Sequence, residues 1–351
     1  MRLLVINCGS ATLKYGLFES GTPLTRAAGG TLAWEDGPAA TIERALAALP
    51  AAPTAIAHRV VHGGDAFVDP VTIDDGILRQ LRELVPLAPL HNAIALEGIA
   101  ATRALGVPQL AVFDTAYFAG LPDRARRYAL PPLAGIRRYG FHGWSHRSVV
   151  ERYAAVTGSA GPTLVTLHLG SGASAAAIRD GRPVDVSMGY TPLEGLVMST
   201  RPGDVDPGLI LHLIECGMST SELSHLLHHE SGLRGLAGTA DMRNVLARDD
   251  QRAREALDLY CYRIVKYVGA YLAVLQGRME ALVFTGGVGH GSAEIRRAVC
   301  EALAWTGIAL DRERNERGEE RVSAGGAPAV FAIRSDEEGA IAAEATRFLS
   351  R

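Results

Sequence analysis

The stretch Leu3-Leu4-Val5-Ile6-Asn7-Cys8-Gly9-Ser10-Ala11-Thr12-Leu13-Lys14-Tyr15-Gly16-Leu17-Phe18 decides the fold. Two segments of mainly apolar residues enclose a run of small residues, which predicts a strand, a tight turn and a second strand. Residues 163–186 repeat this order, with Gly170-Ser171-Gly172 in a first turn and Asp180-Gly181 in a second. Because an internal repeat is a stronger guide to architecture than any single motif, the two hairpins predict a duplicated fold.

Helical patterns lie between and after the two hairpins. We expect helices over residues 91–105, 145–156, 219–229, 249–276 and 337–349, the third of which opens with the capping box Ser219 to Glu222. Hairpins followed by helices, twice over, predict two similar α/β domains that face one central cleft. We place the first domain at 1–116 plus 337–351, where the C-terminal helix closes it, and the second at 117–336.

Composition excludes several classes of protein. The chain has 351 residues, of which 48% are hydrophobic and 21% charged, enough for two domains with their own cores. A net charge of −3 without runs of like charge gives no footprint for nucleic acid or an anionic membrane. The four cysteines form no C-x-x-C pair, which argues against a zinc cluster or a disulfide framework. With neither a signal sequence nor a membrane-length apolar run, we expect a soluble cytoplasmic protein.

The Gly-rich turns suit phosphate groups. Turns of glycine and hydroxyl residues expose N–H and O–H donors to phosphate oxygens. A single turn of this kind more often has only a structural role. Two such turns at the start of duplicated units favour a polyphosphate ligand. A further Gly-rich run, Phe284 to Ser292, follows a strand and precedes a helix, as in anion sites at helix N-termini. It is not a Walker A sequence, because no lysine follows the glycines.

Other polar residues stand beside apolar strand ends or glycines, in the segments 58–64, 88–92, 112–116 and 138–146. The segment 188–207 is so rich in Gly, Pro, Thr, Arg and Asp that we expect a long ordered loop, and such loops are usually functional. Any one of these residues is more often structural; His91 would then belong to a helix N-terminus and His62 to a solvated loop. As a set, they are harder to dismiss as structural.

Taken in order, these motifs resemble those of the acetate kinase family. The matching motifs are Asn7-Cys8-Gly9-Ser10 with Leu13-Lys14, His58-Arg59-Val60-Val61-His62-Gly63-Gly64, Pro89-Leu90-His91-Asn92, Phe113-Asp114-Thr115-Ala116, Tyr139-Gly140-Phe141-His142-Gly143, His168-Leu169-Gly170, Thr191-Pro192-Leu193-Glu194-Gly195, Thr200-Arg201 with Gly203-Asp204 and Asp206-Pro207, Asp241-Met242-Arg243 and Phe284-Thr285-Gly286-Gly287. The resemblance covers essentially the whole chain. It implies a duplicated actin-like, ribonuclease H-like fold of the α/β class, usually a homodimer, with the nucleotide site in the second domain.

The resemblance also implies roles for individual residues. Arg59 and Arg201 would grip the acyl carboxylate and the transferring phosphoryl group. His142 would donate to the transition state with support from His91, and Asp114 would orient the reacting groups. Asn7 and Glu337 would lie at a Mg²⁺ site, with Mn²⁺ as a substitute. The pocket for the acyl methyl would consist of Val61, Leu90, Phe141 and Pro192. The ATP or ADP site would include Ser10, Thr12, Lys14, His168, Gly170, Ser171, Gly172, Asp241, Met242, Arg243, Gly287, Val288, Gly289 and Gly291.

The chemistry of a carboxylate acceptor accounts for such a set. A carboxylate is already ionised at neutral pH, since its pKa lies about two to three units lower, so no strong base is needed. Phosphoryl transfer instead passes through a loose transition state with charge on three equatorial oxygens, which calls for two arginines, a histidine donor and Mg²⁺. A sugar kinase of the same fold would need an aspartate to accept a hydroxyl proton, a role open to Asp114.

The chain departs from the family pattern at a few positions. Ala11 replaces a hydroxyl residue, Ser171 an asparagine, Ser199 a glycine and Pro202 a small polar residue, and His290-Gly291 replaces a Glu-Asn pair. The segment between Lys14 and His58 is shorter than usual.

We therefore expect a short acetate kinase that transfers a phosphoryl group between ATP and acetate by direct in-line displacement. One alternative is a kinase for propionate or another short acyl group. The other is a non-catalytic nucleotide-dependent binding module, which would have no use for Arg59, Asp114, His142 and Arg201.

Overall fold

The computed structural model of the protein describes residues 1–9, 12–19, 21, 24–35 and 37–351. Its strands are β1 (Arg2–Cys8), β2 (Thr12–Glu19), β3 (Thr25–Ala33), β4 (Ala55–Val60), β5 (Val71–Thr72), β6 (Gln109–Phe113), β7 (Leu164–Leu169), β8 (Ala173–Arg179), β9 (Arg182–Val186), β10 (Ala281–Thr285) and β11 (Ala329–Ala332). Its α-helices are α1 (Pro38–Ala47), α2 (Asp75–Glu83), α3 (Pro89–Thr102), α4 (Asp123–Arg126), α5 (Gly143–Thr157), α6 (Pro207–Glu215), α7 (Thr220–His225), α8 (Gly232–Ala237), α9 (Met242–Leu246), α10 (Gln251–Val274), α11 (Gly286–Gly291), α12 (Ala293–Ala302), α13 (Arg312–Arg317) and α14 (Glu337–Leu349). Short 3-10 turns cover Val85–Leu87, Arg103–Leu105, Asp114–Phe118 and Ala304–Thr306, and Leu226–Glu230 forms a π-helical turn.

Tertiary contacts divide the chain into two compact units. Unit 1 comprises Met1–Ala119, Phe141–Ser148 and Asp336–Arg351, and unit 2 comprises Gly120–Gly140 and Val149–Ser335. The segment Phe141–Ser148 lies in unit 1 because Trp144 is buried in that unit's apolar core. The sequence placed this segment in the second domain, and the domain limits at 116 and 337 stay a prediction.

Unit 1 is built on a six-stranded sheet in the order β3-β2-β1-β4-β6-β5. β1, β2 and β3 form an antiparallel meander, whereas β4 lies parallel to β1 and β6 parallel to β4. Side chains along β1 alternate between two apolar clusters, because successive residues of a strand point to opposite faces. Leu3 and Val5 pack with Ile341 of α14, while Leu4 and Ile6 pack with Ile42 of α1. Helices therefore cover both faces of this sheet, which explains why β1 is a continuous apolar run.

Unit 2 repeats this topology. Its five-stranded sheet has the order β11-β10-β7-β8-β9, with β7, β8 and β9 antiparallel and with β10 and β11 added in parallel. β9-β8-β7-β10-β11 thus matches β3-β2-β1-β4-β6 strand for strand. The turn at Asp180 and Gly181 has φ angles of 52° and 74°, the left-handed conformation that tight hairpins require. The predicted duplicated α/β fold is confirmed.

The predicted hairpins and helices are present, with two differences. The predicted helix 219–229 carries its capping box at Ser219 and Glu222, but α7 ends at His225 and continues as the π-helical turn. The run Gly286 to Gly291, expected as a turn, is the helix α11. Gly286 has a φ of 78°, and a Cβ there would collide with the Leu169 backbone. The glycine therefore allows close approach to β7 rather than preventing a helix. Among the described residues, no helix is long and apolar enough to cross a membrane.

Candidate active site

The carboxyl ends of β4 and β6 bring Arg59 and Asp114 together. The two strands are parallel neighbours, with Arg59 opposite Val112 in the register. Arg59 Nε donates to Asp114 Oδ1 at 2.8 Å and Arg59 Nη2 donates to Asp114 Oδ2. The Asp114 side chain is only 1% exposed. Such a two-point pair fixes the plane of the guanidinium as well as its position.

Asn7 links this pair to the start of α14. Asn7 Oδ1 accepts from Arg59 Nη1 at 3.1 Å, and Asn7 Nδ2 donates to Glu338 Oε1 at 2.7 Å and to Glu337 Oε2 at 3.2 Å. Burial opposes the charge on Arg59, but Asp114 and, more weakly, Glu337 and Glu338 outweigh it and hold the pKa of Arg59 above its ordinary value. The structure thus brings four predicted residues of unit 1 into one network: Asn7, Arg59, Asp114 and Glu337.

His142 lies beside the same network in a strained backbone conformation. Its φ is 58°, which is uncommon outside glycine and costs energy. Burial raises the pKa of the Asp114 carboxyl, while Arg59 and a hydrogen bond with the backbone of His142 oppose that rise. At the next position, a Cβ on Gly143 would collide with the carbonyl oxygen of Asp114. The chain therefore needs glycine there to bring His142 close to Asp114.

The residues predicted for the acyl pocket are divided between the two units. Val61 and Phe141 of unit 1 are buried, at 5% and 1% exposure, and the Phe141 ring meets the His62 ring edge-on at 5.5 Å. The Leu90 side chain lies outside the described part of the chain, although its backbone belongs to α3. His91 follows it in the first turn of α3, half-buried. Pro192 is half-buried in unit 2. The pocket itself stays a prediction.

Arg201 is a desolvated cation in unit 2. Its Nη1 donates to the Pro192 carbonyl at 2.8 Å. Partial burial lowers the pKa of Arg201 to about 10, and among the described residues no carboxylate counteracts that shift. Burying a guanidinium without a counter-ion is costly. An anionic ligand would relieve that cost, so this residue is suited to bind one.

One Gly-rich turn of unit 2 lies beside the loop that carries Arg201. Ser199 N donates to the Ser171 carbonyl at 3.1 Å, which ties this loop to the turn between β7 and β8. The second Gly-rich segment, α11, lies against β7, where a Cβ on Gly289 would contact the Leu169 side chain at 3.4 Å. Of the residues predicted for the nucleotide site, His168 lies on β7, Gly170, Ser171 and Gly172 lie in the turn between β7 and β8, and Gly287, Val288, Gly289 and Gly291 lie in α11.

The remaining predicted nucleotide residues have local structural roles or lie in unit 1. Asp241 caps α9, accepting from Arg243 N at 2.9 Å, and the exposed Arg243 side chain pairs with it. Met242 is buried. Lys14 is exposed on β2 directly opposite Asn7, and Thr12 begins that strand. Ser10 lies outside the described residues. For all of these, a nucleotide-binding role stays a prediction.

Sequence reasoning assigned no individual role to three residues that support the candidate segments. Glu338, 8% exposed, binds Asn7, and its only sequence signal is its position next to Glu337. Arg296 of α12 is 1% exposed and donates to the carbonyls of Gly289 at 3.0 Å and His290 at 2.5 Å. Asp204, predicted only as part of a motif, closes the Arg201 loop. Their roles depend on contacts between distant segments, which no local pattern reveals.

The sequence profile of the acetokinase family matches residues 39–343. The chain belongs to the acetokinase family. Its relatives include a protein named acetate kinase from Streptomyces coelicolor, 43% identical over 99% of this chain and 97% of the relative, and one from Streptomyces avermitilis, 47% identical over 84% and 71%. Both the predicted family and the predicted enzyme class, a phosphotransferase with a carboxyl group as acceptor, are confirmed.

Solved structures of this family share the fold over the whole chain. A Porphyromonas gingivalis acetate kinase superposes with a TM-score of 0.85 at 37% identity, covering 99% of each chain. A Francisella tularensis propionate kinase superposes with a TM-score of 0.89 at 33% identity, covering 98% of each chain. Similarity of this extent supports the acetokinase fold for this chain.

Proposed function

We propose that this acetokinase-family enzyme is an acetate kinase that reversibly transfers the γ-phosphoryl group of ATP to acetate, giving acetyl phosphate and ADP. The observation that carries the proposal is Arg201, a half-buried cation with no carboxylate partner among the described residues, in a loop tied to a Gly-rich turn. The names of the relatives at 43% and 47% identity supply the acyl group and the reaction.

In this mechanism, an acetate oxygen attacks the γ-phosphorus in line while the bond to the β,γ-bridging oxygen breaks, so ADP leaves with that oxygen. The acetate carboxylate is already ionised, so no base removes a proton. Arg59, held rigid by Asp114 and Asn7, and Arg201 would stabilise charge on the carboxylate and on the equatorial oxygens. His142 would donate a hydrogen bond that strengthens in the transition state.

A divalent metal fits the oxygen-rich network of unit 1. Mg²⁺ prefers oxygen ligands and is usually bound through one or two carboxylates together with substrate phosphates. Among the described residues, no three His, Cys, Asp or Glu side chains are arranged to hold a metal by themselves, which agrees with that mode. Glu337 and Asn7 would hold Mg²⁺, or Mn²⁺ in its place. When bound, the metal would neutralise charge on the phosphate oxygens.

Propionate is the second candidate acceptor, because a solved relative at 33% identity is named a propionate kinase. Val61 and Phe141 are buried apolar side chains, both larger than that of alanine, so we propose a small acyl pocket. An extra methylene is worth only about 1–3 kcal/mol of discrimination. Propionate should therefore be a poorer but real substrate.

A coupled assay of ADP formation tests the reaction and its acceptor. With ATP and Mg²⁺, we expect turnover with acetate, slower turnover with propionate, little with butyrate and none after chelation of the metal. Val61→Ala should shift the preference towards the longer acids. Wild-type preference for butyrate would contradict the pocket, and ADP formation that does not depend on any acid would contradict the function.

The phosphoryl donor is tested separately, because Gly291 has no side chain to offer the nucleoside. Losing one hydrogen bond costs about 0.5–1.5 kcal/mol, so we expect GTP to work within about tenfold of ATP. Activity with pyrophosphate and none with ATP would overturn the ATP assignment. Strict preference for ATP would instead show that another residue, such as His290, recognises adenine.

We also propose a cytoplasmic homodimer that binds neither nucleic acid nor membranes. The net charge of −3 supports the absence of nucleic-acid binding, and the family resemblance supports the dimer. Light scattering after size-exclusion chromatography should give twice the mass of the 37.2 kDa chain. A monomer mass would contradict the dimer.

A further inference from the structure

The loop between β9 and α6 is closed on itself around Arg201. Gly195 N donates to Asp204 Oδ1 at 2.9 Å, and Asp204 N donates back to the Gly195 carbonyl at 3.0 Å. Between these points, Gly203 has a φ of 74°, and a Cβ there would collide with the carbonyl oxygens of Gly195 and Leu196. The two arms of the loop therefore pass each other in close contact, with Arg201 on the segment that they enclose.

Helix α10 holds the closing residue. Tyr267 OH lies 3.0 Å from Asp204 Oδ1 and 2.9 Å from Asp204 Oδ2, and donates to that carboxylate. Arg263, one helical turn earlier, donates from Nη2 to the Asp204 carbonyl at 3.3 Å. Burial, followed by Asp204, raises the pKa of Tyr267 well above its ordinary value. The hydroxyl thus remains a donor throughout the neutral and moderately alkaline range.

Arg201 depends on this loop for its orientation. Unlike Arg59, it has no carboxylate among the described residues to fix its guanidinium. Its carbonyl accepts from Met198 N at 3.0 Å, and its Nη1 donates to the Pro192 carbonyl at 2.8 Å. Both partners belong to the same loop. A shift of the loop therefore moves the guanidinium, and catalytic groups lose effectiveness when displaced by about half an ångström.

We propose that Asp204 and Tyr267 are positioning residues that hold the Arg201 loop closed and so align Arg201 for phosphoryl transfer. The inference rests on the proposed function for its kinetic consequence, but the closure of the loop is a property of the protein itself. Neither residue needs to touch substrate for this role.

Helix α10 provides a matched control. Tyr271 lies one turn after Tyr267, with ring centroids 5.9 Å apart; it is buried, whereas Tyr267 is half-buried. The Tyr271 hydroxyl has no hydrogen-bond partner among the described residues. Tyr267→Phe and Tyr271→Phe therefore remove the same atom from the same helix, but only the first removes a contact with Asp204.

Hydrogen–deuterium exchange of the full-length protein tests the closure without reference to activity. In Tyr267→Phe we expect amides of residues 194–206, including the bonded amides of Gly195 and Asp204, to exchange at least about fivefold faster than in the wild type. In Tyr271→Phe the same peptide should exchange within about twofold of the wild type. Equal exchange in the two variants would overturn the proposal.

Steady-state kinetics tests the consequence for Arg201. Tyr267→Phe should lower kcat at least about fivefold while KM for ATP stays within twofold, whereas Tyr271→Phe should change neither. Asp204→Asn keeps the Oδ1 acceptor for Gly195 but loses the charge, and it should also lower kcat. This variant replaces Tyr267→Phe in the test if Tyr267→Phe does not fold. A loss of kcat that is equal in both tyrosine variants would overturn the alignment role. A wild type without kinase activity would refute the proposed function, and the exchange experiment would still decide the closure.

Discussion

At the scale of single residues, the two arginines predicted for catalysis differ in what balances their charge. Arg59 is paired with the buried Asp114 and lies near Glu337 and Glu338, so its charge compensates carboxylates that would otherwise repel one another. Arg201 compensates no negative charge among the described residues, and partial burial is the sole cause of its lowered pKa. Truncation of the two residues should therefore affect activity alike but stability differently.

We expect Arg59→Ala and Arg201→Ala each to lower kcat/KM by at least about a hundredfold, since each removes a charged donor that water replaces poorly. Arg59→Ala should also lower the free energy of unfolding by about 3–5 kcal/mol, because it leaves a buried carboxylate unpaired. Arg201→Ala should leave stability unchanged or improved. Urea unfolding and initial rates measure both effects. Near wild-type turnover in either folded variant, or equal stability losses, would contradict these roles.

His58 should make the protein sensitive to acid. It is 1% exposed, with Nε2 3.2 Å from Thr102 Oγ1, and burial lowers the pKa of its imidazole from 6.5 to about 3. Between these values the unfolded chain binds more protons than the folded one. The contribution of His58 to the free energy of unfolding is therefore fully present above pH 6.5 and is lost as the pH falls towards 3.

From pH 7 to pH 5 this group alone should remove about 2 kcal/mol from the free energy of unfolding. His58→Gln has no imidazole to protonate, so the difference between its pH profile and that of the wild type isolates the contribution of His58. Denaturant titrations at the two pH values make the measurement. Parallel profiles would show that His58 is already protonated in the folded protein or remains neutral in the unfolded chain.

At the scale of elements, a side chain of α12 holds the Gly-rich helix α11 in place. Arg296 Nη1 donates to the carbonyls of Gly289 and His290, and its Nε donates to Asn315 Oδ1 at 2.7 Å. Glycines have little conformational preference of their own. This buried arginine therefore supplies an order that the sequence of α11 lacks.

Arg296→Met should raise KM for ATP about tenfold while KM for acetate stays within twofold, because only the predicted nucleotide segment loses its anchor. Its matched control is the next residue. Arg297→Met removes an exposed arginine whose pair with Glu301 spans 3.4 Å, and such pairs contribute less than about 1 kcal/mol. Equal KM values for ATP in the two variants would contradict a link between Arg296 and the nucleotide site.

At the scale of the whole molecule, unit 1 is completed by the last sixteen residues of the chain. Ala340, Ile341, Ala342 and Ala345 of α14 are buried against β1 and Trp144. This segment is not part of unit 2, in which the strands β7 and β10 are largely buried. Loss of α14 should therefore unfold one unit selectively.

A chain that ends at Ser335 should lose about 5 kcal/mol of stability in unit 1, comparable with the whole stability of a domain. Tryptophan emission reports this, because Trp34 and Trp144 belong to unit 1, whereas Trp305 of unit 2 is 75% exposed already. We expect a red shift, together with protease-resistant fragments from unit 2. Removal of only Ser350 and Arg351, which lie beyond the end of α14, should change neither the stability of unit 1 nor the tryptophan emission. Unchanged emission in the shorter chain would contradict the assignment of α14 to the core of unit 1.

Much of the architecture follows from the sequence, because it depends on local patterns. Alternating and continuous apolar runs specify β1, β2, β7 and β8, and the turn at Asp180-Gly181 specifies the hairpin geometry. The exposed, alanine- and glycine-rich β3 escaped prediction, since little in its residues favours a strand apart from pairing with β2. Likewise, the glycines of α11 predicted a turn, whereas the segment forms a helix that packs closely on β7.

The same division holds for the site. The sequence by itself determined the family, the duplicated hairpins and the candidates Arg59, Asp114, His142 and Arg201, since these lie in contiguous motifs whose residue types suit phosphoryl transfer. Only the tertiary structure decided that Asn7 meets Glu338, that Arg59 is paired while Arg201 is not, and that Tyr267 closes a loop more than sixty residues away at Asp204. Ion pairing, desolvation and loop closure depend on distances between segments remote in sequence. Folding sets those distances through the packing of whole sheets and helices, and no local pattern encodes them.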